Sequence, residues 1–142
     1  MKKTFLILSM IFPLTFLQSM QDEATSGENP FLLIARIQVK EGRVEDYLDI
    51  ADRVDKITQA EEPGMLFHNF DQDPSDPLRF TWSEIYENSD ALLVHFGASY
   101  AADYVAKSNE LADSFEIEIY GNLSKEAEET VRSFGFPFKH FK

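Results

Sequence analysis

Eight residues, Arg79-Phe-Thr-Trp-Ser-Glu-Ile-Tyr86, constrain this chain more than any other stretch. Strand side chains alternate between faces, so Phe80, Trp82, Glu84 and Tyr86 share one face. A short helix follows and returns His95 toward the same side. Three aromatics, a carboxylate and an imidazole facing one way predict an apolar pocket laid against a sheet.

The neighbouring segments supply that sheet and its cover. Residues 31–39 read as a strand that is apolar on both faces, with Leu33, Ala35, Ile37 and Val39 on one and Leu32 and Ile34 on the other. After a turn at Gly42, Val44, Tyr47, Leu48, Ala51 and Val54 recur at helical spacing until Pro63-Gly64 stops the helix. Residues 65–71 form a second strand, and Asp73-Pro-Ser-Asp-Pro77 turns the chain into the third as a hairpin. Ser89 is the expected cap of a helix to Phe96, Gly97-Ala-Ser99 breaks it, and a further helix covers 100–111. Residues 114–121 alternate as a half-buried strand. The order β-α-β-β-α-β predicts an α+β, ferredoxin-like sandwich over residues 30–122. Beyond it come an acidic helix and a segment with four phenylalanines, Phe134 to Phe141, which packs either on its own domain or on a partner subunit.

Pro63-Gly64, Arg79-Phe80, Glu84 and the downstream His95 resemble the pattern of the antibiotic biosynthesis monooxygenase family, with Tyr86 where that family usually carries Trp. The resemblance spans residues 31–121. It implies a dimeric α+β barrel and a cofactor-free monooxygenase that binds a small aromatic or quinol-like molecule and dioxygen, because an electron-rich substrate reduces dioxygen itself once deprotonated. On this reading Phe80, Trp82 and Tyr86 hold the flat ring, His95 moves the proton, and Glu84 stands behind it. Glu84 is either a structural acceptor for His95 or Arg79, or a general base. His68, on the face of Leu66 and Phe70, reaches the same pocket or makes a cross-strand pair. His140 reads as a solvated residue. Haem-degrading relatives and a non-catalytic binding module are the rival readings. The haem reading is weakened by Tyr86 in the Trp position and by a first strand without Asn.

The N-terminus narrows the setting. Met1-Lys-Lys3 followed by an apolar run from Phe5 to Leu17 describes a signal peptide, 1–20, before a polar leader, 21–29. Pro13 interrupts a run already short for a bilayer of ~30 Å. A secreted or periplasmic protein is expected, with an uncleaved anchor as the alternative. With 25 Asp and Glu against 13 Lys and Arg, clustered cations for nucleic acid or anionic membranes are lacking. The absence of cysteine excludes disulfides, thiolate metal sites and thiol nucleophiles. Asp71, Asp73 and Asp76 begin like a calcium loop but lack its Gly and its Glu, so they read as turn formers. Asn122-Leu-Ser124 is a glycosylation sequon for a eukaryotic host. No phosphate loop, dinucleotide fingerprint, nucleophile elbow or paired-His zinc helix is present, and no cofactor is expected.

Overall fold

Alternation and helical spacing turn directly into architecture. The computed structural model describes residues 29–142. The expected signal peptide and the leader up to residue 28 lie outside them. The elements are β1 (Phe31–Val39), α1 (Val44–Glu61), β2 (Met65–Gln72), β3 (Arg79–Tyr86), α2 (Ser89–Gly97), α3 (Ser99–Leu111), β4 (Ala112–Tyr120), α4 (Lys125–Ser133) and β5 (Phe138–Phe141). The first four strands form an antiparallel sheet, and β5 adds a parallel edge, giving the order β2-β3-β1-β4-β5. This is the expected ferredoxin-like α+β fold with one additional strand.

Helices cover one sheet face. Against them lie Phe31, Leu33, Ala35, Ile37 and Val39 of β1, and Phe80, Trp82 and Tyr86 of β3, all buried. From α1, Tyr47, Ala51, Val54 and Thr58 face the sheet at helical spacing. The opposite face of β1 is the more open one. Leu32 and Ile34 are half-buried and Arg36 is exposed.

Local chemistry sets the joints. Asp73 closes the hairpin turn by accepting from the Ser75 backbone N–H at 2.8 Å. The helix cap differs from expectation. Asn88, extended at φ −164°, accepts from the Ala91 N–H at 2.9 Å, while Ser89 is buried and its hydroxyl accepts from the Ser124 N–H at 2.8 Å. Gly64 is needed for space, since a Cβ there would lie 2.7 Å from the Cβ of Ala91 on α2.

The phenylalanine-rich segment packs on its own domain. The Ile117 N–H donates to the Pro137 carbonyl at 2.9 Å, and the Gly121 N–H to that of Phe141 at 2.9 Å. His140 is not solvated, contrary to its reading from sequence. Its side chain is buried against α4, with Nδ1 3.1 Å from Glu128 and Nε2 2.8 Å from the Gly121 carbonyl. Glu128 is held near pKa 2 by Arg132 hydrogen bonding, with help from His140 and Lys142 against partial burial.

Candidate functional site

A cavity of about 50 Å³ lies between the sheet and the helices. Trp82, Glu84, His68 and His95 meet at its wall, along with Tyr104 from α3. Leu33, Ala35 and Ile117 of the sheet and Val54, Ala101 and Val105 of the helices make the lining apolar. Phe80 and Tyr86 are placed elsewhere. Phe80 stacks on Phe70, with centroids 5.2 Å apart, inside the core. Tyr86 is fully buried behind the cavity and donates its hydroxyl to Glu84 at 2.7 Å. The family's Trp position is therefore occupied here by a ring that steadies a carboxylate.

The carboxylate beside His95 is Glu62, not Glu84. Glu62 follows α1 and immediately precedes Pro63, whose ring disfavours helical backbone at the residue before it. Its backbone accordingly leaves the helical region, with φ −116° and ψ 79°, and its side chain is buried. The carboxylate lies 2.9 and 3.1 Å from His95 Nδ1 and accepts the Tyr100 hydroxyl at 2.7 Å. Paired this way, Nδ1 carries the proton and Nε2 is the basic nitrogen. Burial pushes the His95 pKa down, but hydrogen bonding to Glu62 and the charges of Glu84 and Glu62 outweigh it, and the net shift is upward.

Glu84 has different partners from the Arg79 or His95 of the sequence reading. Arg79 is exposed and reaches Gln38 and Asp76 instead. Burial favours the neutral acid at Glu84. Hydrogen bonding from His68, the charges of His95 and His68, and the Tyr86 hydroxyl prevail and lower its pKa. His68 lies with Nε2 3.5 Å from Glu84 and stacks on Trp82 at 4.6 Å. Its Nδ1 comes 2.7 Å from Asp55, at an angle that leaves this nitrogen without an aligned hydrogen bond.

Behind Trp82 the polar contacts continue. Trp82 Nε1–H donates to the Tyr104 hydroxyl at 2.8 Å, and that hydroxyl lies 2.6 Å from the hydroxyl of Tyr47. Burial lifts the Tyr104 pKa to about 12, so its hydroxyl stays protonated at ordinary pH. Glu62, Tyr100 and Tyr104 were not singled out from sequence. For Glu62 a signal existed: an acid directly before Pro-Gly leaves the helical face on which its neighbours are solvated.

Residues 30–107 match the antibiotic biosynthesis monooxygenase family. The chain belongs to that family. The uncharacterized protein sll1783 of Synechocystis is 28% identical over 118 residues, covering 82% of this chain and 79% of its own. A Caulobacter crescentus structure, a candidate antibiotic biosynthesis monooxygenase, superposes with TM-score 0.65 at 18% identity, over 73% of this chain and 99% of its own. A second candidate member, from Bacteroides thetaiotaomicron, gives 0.60 at 21%, over 68% and 90%. At these identities the structural likeness speaks for the fold alone. Among the described residues no group of three or more His, Cys, Asp and Glu is arranged to hold a metal ion.

Proposed function

We propose that this protein is an exported, cofactor-independent monooxygenase acting on a small phenolic or quinol-like compound. The observation that carries the proposal is His95 at the wall of an aromatic cavity, held at Nδ1 by Glu62, with Nε2 free of any hydrogen bond among the described residues. A phenolic hydroxyl placed at Nε2 gives up its proton there, and Glu62 stabilises the imidazolium that forms. The resulting phenolate is electron-rich enough to reduce dioxygen. One oxygen atom bonds to the ring as a carbonyl, and the other leaves as water with two hydrogens from the substrate. Trp82 offers the ring a flat surface, and the apolar lining keeps competing water away.

Oxygen uptake by the purified protein on a panel of quinols and anthrones, with flavin and added metals withheld, tests this. Uptake that His95→Ala removes is the expected result, at a cost of ~10²–10⁴-fold in rate. Panel compounds that bind without oxygen uptake would leave a small-molecule-binding module instead.

Pairing of two chains through their open sheet faces belongs to the same proposal. Strand register lines up Phe67, Ile85, Leu32, Tyr120 and Phe141 in one row across all five strands. Phe67, Tyr120 and Phe141 are exposed. A contiguous apolar row of this kind favours an isologous partner.

A further inference from the structure

We propose that Phe134 and Phe136 are the entrance to the cavity and its size filter, admitting a single flat ring and refusing a fused three-ring system. The inference rests on the small-aromatic reading above. Both residues lie beyond the family match, which ends at residue 107.

Both line the cavity, and both are half-exposed, so each separates cavity from solvent. Phe134 meets Phe96 edge-on at 5.0 Å, and Phe136 stacks on Phe115 at 4.4 Å. These two ring pairs tie the segment after α4 to α2 and to β4 at the cavity wall. As it stands, the space of about 50 Å³ is too small for a substrate. An apolar cavity of about 150 Å³ is what holds one benzene. Some part of the wall must therefore yield on binding. Trp82, Leu33, Ala35 and Ile117 are fixed in hydrogen-bonded strands and buried, and Val54, Ala101 and Tyr104 are buried on the helices, so the half-exposed part of the wall, where Phe134 and Phe136 sit, is the part that yields.

How far they yield is limited by the backbone that carries them. The Gly135 N–H donates to the Arg132 carbonyl at 3.1 Å, and the Pro137 carbonyl accepts from Ile117 at 2.9 Å. Gly135 makes the turn between the two rings at φ +77°, a conformation side chains disfavour. A segment pinned at both ends does not lift away. The opening is made by ring rotation, wide enough for one planar ring edge-on.

Trp82 is the single tryptophan of the chain and lines the cavity, so its fluorescence reports admission without turnover. Under anaerobic conditions hydroquinone should quench wild-type fluorescence saturably, and anthrone should not. Phe134→Ala and Phe136→Ala should each speed hydroquinone association by on the order of tenfold and allow anthrone to bind. Phe136→Leu, which keeps most of the bulk and protects against a folding artefact, should fall between. Phe138→Ala alters the same segment at a residue off the cavity wall and should behave as wild type. Anthrone quenching the wild type as well as the variants would overturn the proposal, as would Phe138→Ala matching Phe136→Ala. Absence of quenching by hydroquinone in every protein would instead overturn the small-aromatic reading, and this proposal with it.

Discussion

Glu62 offers the sharpest test, because two substitutions at one position separate its electrostatic from its structural part. Alanine removes the acceptor of both the His95 Nδ1–H and the Tyr100 hydroxyl in a site where Glu62 is 5% exposed. Breaking a buried pair of this sort costs about 3–5 kcal/mol. For a domain of this size that is a fall in Tm of roughly 12–20 °C. Glutamine keeps an acceptor for Nδ1–H and an amide that can face Tyr100, so it should melt much closer to wild type. It removes the charge, however, and with it much of what raises the His95 pKa. Neutral His95 is the working base, so the rate rises with pH through that pKa, and the acid limb of the wild type lies above the ordinary value of 6.5. In Glu62→Gln the limb should move to lower pH while the plateau persists. The stability contribution has the opposite sense. A raised histidine pKa stabilises the fold fully below 6.5 and ceases to do so as pH climbs through the raised value. The assays are thermal melts and initial rates of oxygen uptake from pH 5 to 9 on both variants. An acid limb unmoved in Glu62→Gln would show that His95 is not the titrating base, and a wild-type melt for Glu62→Ala would refute the pairing itself.

Tyr104→Phe removes the hydroxyl shared by Trp82 and Tyr47 and should cost about 2–4 kcal/mol in chemical denaturation, because the buried Trp82 N–H and Tyr47 hydroxyl each lose a partner. Gly64→Ala forces a Cβ to within 2.7 Å of Ala91 and should lower stability by about 1–3 kcal/mol without moving the pH profile. Light scattering at micromolar concentration should give the mass of two chains, and Phe67→Asp with Tyr120→Asp should return it to one.

Alternation made the sheet legible from sequence, since each of the buried β3 residues occupies the face its position predicts. The site was harder to see. Phe80 and Tyr86 share the face of Trp82, but face does not specify height along the strand, and only the middle of β3 lies beneath the cavity. The carboxylate partner of His95 lies 33 residues upstream and reads locally as one more acid at the end of an acidic helix. His140 looked solvated because its environment is assembled by α4 and Gly121, which no periodicity within its own segment reveals.

The placement of β5 also bears on how the chain avoids self-association. Without it, the nine-residue β4 would present an unpaired row of amides and carbonyls beside Phe115, Ile117 and Ile119. A long, apolar strand edge of that kind is a template for open-ended stacking between molecules. The four residues of β5 replace it with a shorter edge that carries Lys139. Chains trimmed after Gly121 should thus be prone to fibrillar aggregation even where the ferredoxin-like unit still folds.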